Sequence, residues 1–330
     1  MEDDNKLRGA RIIVENWMNV KAGESVLIIT DETHMADMQL VSQYAEHIGA
    51  LTYIELIPRQ GFSLNTFMDS ITEVMSKYSV IIGATHYSLV TTEVVRKAVK
   101  SGARFLSLPM STNNGYSLLA YDFLTMDTTI SRIVARELLK HINQSSRIRV
   151  TTEAGTDITF RKVGREGNYF NGKAKDSKGF ASSSFEVYVP IEEDQTNGVG
   201  VLDGSLGYLG KMKKPFNISF AEGKISDIES TPCGQRLSKY IESFDDPRMY
   251  HATELGIGTN FYSRCDGNSY IEDESAYGTF HIGFGCNIAL GGAFDAKGHF
   301  DVVFLKPTVY ADNRMIMENG IIIPAIPEVW

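Results

Sequence analysis

The stretch "SVLIITDETHMADMQLVSQYAEHIGALTYIELI" (residues 25–57) decides the fold of the amino-terminal half. It opens with an apolar run at 25–30, continues with a helical pattern at 35–50 that Gly49 ends, and closes with a second apolar run at 51–57. Apolar runs rich in β-branched residues on either side of a helix are typical of a βαβ unit in a parallel sheet. The stretch therefore predicts an α/β fold.

The same alternation continues to about residue 145. It predicts, in order, a helix around 64–78, a strand at 79–85, a helix at 91–100, a strand at 104–110 and a helix at 128–143. Neither the GxGxxG pattern of dinucleotide sites nor the GxxxxGK[ST] pattern of nucleotide triphosphate sites occurs in this half. We expect residues 1–145 to form a Rossmann-like α/β domain with a parallel sheet and no nucleotide motif.

From residue 147 onward the pattern changes to strands and turns. The segment "RIRVTTEAGTDITFRK" (147–162) places a glycine-containing turn between two alternating runs, which predicts a hairpin. A clear helical period occurs only at 233–244. We expect residues 146–330 to form a mainly antiparallel β domain of the α+β type.

The composition of the chain indicates which classes of molecule it can bind. The formal charge is −9 and no Lys/Arg cluster occurs, which argues against nucleic acid and anionic membranes as partners. No run of about eighteen apolar residues is present and the first residues are acidic, so we expect a cytoplasmic protein. Three widely spaced cysteines fit a reducing compartment. A small molecule or a short peptide is the expected partner.

The run "GHFDVVFL" (298–305) begins a predicted strand with two polar residues. In a strand His299 and Asp301 point to the same face while Phe300 points away, so the pair could bind a metal or form a structural hydrogen bond. His281 lies eighteen residues earlier in the strand-like run "YGTFHIGFG". Such a histidine could reach the same place, although a lone histidine is more often structural.

Two glutamates stand in apolar surroundings. Glu186 lies in "FEVYVP" and Glu254 in "ELGIGTN", and each could also lie on a solvent-facing side of its strand. With the two histidines and the aspartate they make a set of N and O donors that would suit a pair of divalent metals. His34, His86 and His251 have less to recommend them.

The order of "FEVYVP", "VLDGS", "GKI", "ELGIGTN", "EDESAYGTFHIGFG" and "GHFD" resembles the carboxyl-terminal part of the aminopeptidase T and aminopeptidase S metallopeptidases. The resemblance implies an α/β domain, a mainly β domain, a homodimer and two divalent metals. It places Glu186, Glu254, His281, His299 and Asp301 on metal-ligand positions.

The chain departs from that family at one catalytic position. The family places a tyrosine seven residues after the histidine that corresponds to His281, and this chain has Ile288 there. The chain also resembles a second branch, the 2,5-dihydroxypyridine ring-cleaving dioxygenases. Those enzymes bind one Fe(II), with a histidine at the position of Glu254 and apolar residues at the positions of Glu186 and His281.

The resemblance implies metal-dependent hydrolysis of an N-terminal peptide bond or a related amide by a water activated between two metals, Zn, Co or Mn. Glu186 is expected to be both ligand and catalytic residue. Glu272, Asp273 and foremost Glu274 are candidates for carrying a proton to the leaving amine, although they could equally form a solvated acidic turn. The alternatives are a mononuclear Fe(II) dioxygenase and a metal-binding homologue without turnover.

The amino-terminal half contributes no catalytic motif of its own. Ligands of α/β sheets bind at the carboxyl ends of the strands, here near residues 30–34 and 84–88. The segment "PMSTNNGY" (109–116) could form a wall of such a site, and we expect the substrate to bind in a cleft between the domains.

Overall fold

A computed structural model describes residues 2–58, 71–89, 92–174 and 179–323. In chain order its helices are α1 (Glu2–Arg11), α2 (Met35–His47), α3 (Thr72–Met75), α4 (Glu93–Lys100), α5 (Thr128–Ile142), α6 (Pro232–Glu242) and α7 (Tyr270–Ser275). None of the helices within these ranges is both long and apolar enough to cross a membrane.

The strands fall into a parallel sheet near the amino terminus and antiparallel sheets after it. In chain order they are β1 (Ser25–Asp31), β2 (Leu51–Ile57), β3 (Val80–Ala84), β4 (Arg104–Ser107), β5 (Arg147–Thr151), β6 (Asp157–Arg161), β7 (Asn168–Asn171), β8 (Phe180–Ser182), β9 (Phe185–Pro190), β10 (Asn197–Leu202), β11 (Phe216–Ala221), β12 (Lys224–Ile228), β13 (Ala252–Gly258), β14 (Thr279–Gly285), β15 (His299–Leu305), β16 (Thr308–Ala311), β17 (Arg314–Glu318) and β18 (Ile321–Ile322).

The first compact unit comprises Met1–Thr128, Phe170–Ser184 and Ser269–Ile271. Its sheet has the order β2-β1-β3-β4-β8, and the pairs β1–β2, β1–β3, β3–β4 and β4–β8 are all parallel. The predicted parallel α/β sheet is confirmed. Strand β8 comes from beyond residue 146, and its three residues are too few to show a periodic pattern.

The predicted elements of this unit match in position: β1 is one residue longer than predicted, β2 has the predicted bounds, and the others are shorter. Helix α2 ends at His47, and Gly49 follows with φ +92°, a left-handed conformation that ends helices readily. The strand expected at 104–110 ends at Ser107. Of the helices expected at 64–78 and 91–100, the parts at 64–70 and at 91 lie outside the described residues.

The second compact unit comprises Thr129–Tyr169, Phe185–Asn268 and Glu272–Trp330. Its eight-stranded sheet has the order β12-β11-β10-β6-β5-β16-β17-β18, and the predicted hairpin is the antiparallel pair β5–β6. The predicted mainly antiparallel β domain is confirmed as a fold class. Helix α5 belongs to this unit, whereas the domain boundary at residues 145 and 146 stays a prediction.

A five-stranded sheet of the order β15-β14-β13-β9-β7 carries the candidate site. One face of it is aromatic: Phe280 stacks on Phe304 and Phe284 on Phe300, with ring centroids 4.5 and 5.1 Å apart. Phe220 of the eight-stranded sheet stacks on Phe284 at 6.1 Å. Because successive side chains alternate between faces, the odd-numbered residues of β14 and β15 point to the opposite face.

Candidate metal centre

The five predicted ligands lie on one face of the five-stranded sheet. Glu186 is on β9 and Glu254 on β13, while His281 is on β14 and His299 and Asp301 are on β15. Gly258 pairs with Glu186, Gly256 with His281, Glu254 with Gly283, and Gly283 with Asp301. Residues directly opposite one another in an antiparallel sheet share a face, so the register gathers these side chains.

The side chains come close enough to bind metal ions. The Nε2 atom of His281 lies 2.7 Å from Oε2 of Glu186, and the Nε2 atom of His299 lies 3.2 Å from Oε2 of Glu254 and 3.4 Å from Oδ1 of Asp301. Two groups of three ligands result, in each of which the ligand atoms all lie within 4.8 Å of one another. One group is Glu186, Glu254 and His281, and the other is Glu254, His299 and Asp301.

Two glycines leave room for the cluster. A β-carbon added at Gly256 would overlap the Nε2 atom of His281. A β-carbon at Gly283 would lie 2.8 Å from Oδ1 of Asp301, from the β-carbon of Glu254 and from Cε1 of His299. Glycine inside a strand often marks a place where another group must approach closely. This role is not among those predicted from the sequence, although the spacing of glycines in "ELGIGTN" and "HIGFG" signals it.

The cluster is almost completely buried. The exposed fraction is 4% for Glu186, 3% for Glu254 and 1% for His281. Burial raises the pKa of Glu254 to about 7, against the opposing effect of His299. Burial lowers the pKa of His281, but Glu186, Asp301 and Glu254 outweigh it and raise that pKa to about 9.

The donor set fits divalent cations. Burial likewise opposes a charge on His299, but Asp301 and Glu254 raise its pKa well above its usual value. The raised pKa values of His281 and His299 show that the acidic side chains around them favour positive charge at this place, which a metal ion supplies when it displaces the protons. Among the described residues, Nδ1 of His281 is buried without a hydrogen-bond partner. We conclude that the residues can hold metal, whose identity and number are separate questions.

The candidate proton carriers are buried on a short helix. Glu272, Asp273 and Glu274 on α7 are all less than one-tenth exposed, so the alternative of a solvated acidic turn is wrong. Burial raises the pKa of Glu272 to about 8 and that of Asp273 to about 7. The helix reaches the metal-ligand strand because Ser275 Oγ accepts a hydrogen bond of 3.0 Å from the backbone N–H of Phe185. The catalytic role of Glu274 stays a prediction.

Ile288, which the resemblance to the aminopeptidases aligns with their tyrosine, lies in the loop between β14 and β15. It begins the short 3-10 turn Ile288–Leu290, follows the buried Asn287 and is half-buried. An alkyl side chain can neither donate a hydrogen bond nor carry a proton. The chemistry of the family tyrosine is therefore absent at this position.

The predicted strand ends of the first unit surround a cavity. Its volume is about 360 Å³ and its lining includes His34, His86, Met110, Thr112 and Tyr116. The rings of His34 and His86 are stacked with centroids 6.1 Å apart. The structure thus brings residues of the segments 30–34, 84–88 and 109–116 together.

The chain is similar to known proteins in sequence and in fold. Residues 15–324 match the family model described as NicX, 2,5-dihydroxypyridine 5,6-dioxygenase. A 2,5-dihydroxypyridine 5,6-dioxygenase of Pseudomonas putida KT2440 is 24% identical over 140 residues, which are 39% of this chain and 40% of that protein. The aligned part thus spans less than half the length of this curated relative.

Two solved structures share the fold over almost their whole length. The 2,5-dihydroxypyridine dioxygenase from Pseudomonas putida KT2440 matches with a TM-score of 0.80 and 15% identity, covering 99% of both chains. Wild-type AmpT from Thermus thermophilus matches with a TM-score of 0.67 and 12% identity, covering 98% of this chain and 100% of that one. The predicted resemblance to aminopeptidase T and to a dioxygenase branch is confirmed. Because the family model spans 15–324, the chain belongs to the 2,5-dihydroxypyridine 5,6-dioxygenase (NicX) family.

Proposed function

We propose that this chain is a metal-dependent hydrolase that binds two divalent ions and cleaves an N-terminal peptide bond or a related small amide. One observation carries the proposal: the five ligands form two groups of three, and Glu254 belongs to both. A carboxylate shared by two ligand groups is the arrangement that a two-metal site requires. A mononuclear iron site needs only three protein ligands and leaves the pair of Glu186 and His281 without a purpose.

Each ligand has a defined task in this proposal. Glu186 and His281 would hold one ion, His299 and Asp301 the other, and Glu254 both. When bound, such ions act as Lewis acids that polarise a carbonyl and lower the pKa of water. The burial of the cluster keeps bulk water away from it, which strengthens the electrostatic interactions inside it.

The chain must supply its own proton carrier. We assign this role to Glu274, which is buried on α7 next to Ser275, the residue that binds the strand of Glu186. Its carboxyl group would deliver a proton to the nitrogen of the leaving amine. Ile288 has no proton to give. In the proposed reaction Glu274 therefore does more of the proton transfer than it would in an aminopeptidase site that has a tyrosine at this position.

The proposed substrate is a short peptide or small amide with a free amine, and the proposed setting is a cytoplasmic homodimer. The net charge of −9 and the lack of a basic cluster support a substrate other than nucleic acid. A buried donor set of N and O atoms accepts Zn, Co or Mn.

A second candidate function is oxidative cleavage of a dihydroxypyridine-like aromatic ring at a single Fe(II). The family match over 15–324 and the TM-score of 0.80 to the Pseudomonas putida dioxygenase favour it. Glu254, His299 and Asp301 alone would form the iron site. A third possibility, a metal-binding homologue without turnover, has the absence of a tyrosine at position 288 in its favour.

Metal content separates these functions. We would purify the wild type and Glu186→Ala anaerobically and measure metals by inductively coupled plasma mass spectrometry. A two-metal hydrolase predicts about two equivalents of Zn, Co or Mn that fall to about one in the variant. About one equivalent of iron, unchanged by the variant and accompanied by oxygen uptake with 2,5-dihydroxypyridine, would favour the dioxygenase. Bound metal without hydrolysis of aminoacyl amides and without oxygen uptake would favour the third possibility.

A further inference from the structure

We infer that Glu193 and Asn287 are positioning residues that set where Glu254 and His299 stand in the metal centre. The inference rests on the two-metal site proposed above and adds residues that are not ligands. Both lie in the second unit, Glu193 just after β9 and Asn287 just after β14. A hydrogen bond between their side chains links the loop that follows β9 to the loop that follows β14.

Glu193 is a buried carboxylate with all its partners inside the protein. Arg165 donates to both of its oxygens, at 3.0 and 2.8 Å, in a forked pair. Asn287 Nδ2 and the backbone N–H of Ala293 donate to Oε1 at 2.9 and 2.8 Å. Four donors around one buried carboxylate fix its position far more firmly than an exposed ion pair would.

Asn287 connects that carboxylate to the strand of Glu254. Its Nδ2 also donates to the carbonyl of Thr253 at 3.0 Å, the residue directly before Glu254. The same carbonyl accepts the backbone N–H of Ile191 at 3.1 Å. Any displacement of Asn287 is thus passed to the peptide that carries the shared ligand.

Asn287 also closes the loop that leads to His299. Its Oδ1 accepts the backbone N–H of Phe294 at 2.9 Å, and its own N–H donates to the Phe294 carbonyl at 3.0 Å. At the base of the loop the N–H of Cys286 donates to the Gly298 carbonyl at 2.8 Å. The loop is therefore held in one conformation by its first residues.

The base of this loop orients the imidazole of His299. The Nδ1 atom of His299 lies 3.0 Å from the carbonyl of Cys286, the residue before Asn287. When Nδ1–H donates to this carbonyl, Nε2 is left to face Glu254 and Asp301. Hydrogen bonds of this kind fix the tautomer and the ring orientation of metal-bound histidines.

The test is cobalt binding by Glu193→Gln. The amide keeps only one acceptor oxygen, so its NH2 group must face a donor of Arg165 in one orientation, or donors of Arg165, Asn287 and Ala293 in the other, and the loop should shift. Co²⁺ titrated into metal-free protein reports both affinity and, through its visible absorption, ligand geometry. We expect both Co²⁺ ions to bind more weakly and with altered spectra, because Glu254 belongs to both ligand groups, and the ion at His299 to lose most, about 10- to 100-fold, because His299 is displaced as well.

Two further variants make the outcome decisive. Glu192→Gln removes the neighbouring carboxylate, which accepts from the N–H of Val163 and lies outside the network, and should bind Co²⁺ like the wild type. If Glu193→Gln does not fold, Arg165→Lys keeps the charge but loses the fork and should show the same effect in weaker form.

The outcomes distinguish this inference from the proposed function. A Glu193→Gln protein that melts at a lower temperature without metal but binds both Co²⁺ ions as the wild type does would overturn the inference and leave the metal centre intact. A wild type that binds no divalent ion would overturn the proposed centre, and the positioning role with it.

Discussion

The central strands of the parallel sheet and the strands of the antiparallel metal-ligand sheet place polar groups differently. In β1 and β3 the residues from Val26 to Ile29 and from Val80 to Ala84 are apolar or glycine, and charged groups begin where the strands end. In β9, β13 and β14, ionisable residues stand in the middle of fully buried strands.

The difference follows from what each group has as a partner. Asp31 at the end of β1 accepts hydrogen bonds from the backbone N–H groups of Thr33 and His86 at 3.0 and 2.8 Å, so backbone groups of loops stabilise it. Inside β13 the backbone is occupied by neighbouring strands, and Glu254 must find a charged side chain instead. Buried charges of this kind cost stability unless paired, which indicates that the antiparallel face is built for binding.

Removal of the shared ligand should give the largest effect. Glu254→Ala takes one ligand from both groups, so we expect loss of both metals and a fall in turnover well beyond the roughly 100-fold typical of residues that only support ligands. The protein should still fold, because His299 keeps Asp301 as a partner at 3.4 Å. Metal analysis and circular dichroism check this.

The matching variant at the edge of the parallel sheet is Asp31→Asn, which should keep full metal content. Retention of two metals by Glu254→Ala would contradict the assignment of a shared ligand. Loss of metal in both variants would contradict the claim that only the antiparallel sheet carries metal ligands.

Glycines inside strands give the second test. Gly256→Ala should displace His281 and remove one metal, because the added methyl group occupies the place of the imidazole. Gly83→Ala in β3 is the control, since its methyl group would lie 2.8 Å from Cζ of Phe105 and 3.0 Å from Cδ1 of Leu89. Overpacking costs about 1–3 kcal/mol in either case, but only Gly256→Ala should change the metal content. Equal metal content in both would contradict the close fit at His281.

Much of the difference between the two sheets is predictable from the sequence, because the spacing of apolar residues indicates which side chains are buried. The apolar runs of β1 and β3 and the hairpin β5–β6 are local patterns, and the structure contains all of them. The five candidate ligands were predicted from composition and family resemblance, and the structure brings their side chains together. That these five residues bind metal stays a prediction.

Features that depend on tertiary contacts escaped the sequence. Strand β8 has three residues, too few for a period, and joins the parallel sheet through contacts distant in sequence. The sequence leaves open whether the acidic run at Glu272–Glu274 is solvated or buried, because its burial comes from other segments. No sequence motif marks Glu193 or Asn287. Their proposed roles depend on contacts between the loops that contain Arg165, Glu193 and Asn287.

Acid stability tests the buried carboxylate that supports the metal-ligand sheet. Burial would raise the pKa of Glu193, but Arg165, Asn287 and the N–H of Ala293 outweigh it and lower that pKa to about 2. A pKa below its unfolded value means that the contribution is complete above about pH 4.5 and is lost as the pH falls towards 2. The free energy of unfolding of metal-free wild type, minus that of Glu193→Gln, should shrink by roughly 2–3 kcal/mol over this window. A difference that does not vary with pH, in urea unfolding at several pH values, would contradict this network.

The smallest effect is expected from His86→Ala, in the cavity of the first unit. His86 stacks on His34 and lies edge-on to Tyr87, and it belongs to neither ligand group found among the described residues. Because it is half-buried and follows β3, its removal should cost less than about 1 kcal/mol and leave the metal content unchanged. Thermal unfolding and metal analysis of the same sample check both points. Loss of a metal equivalent would place a ligand at the carboxyl edge of the parallel sheet, and metal binding would then no longer distinguish the two sheets.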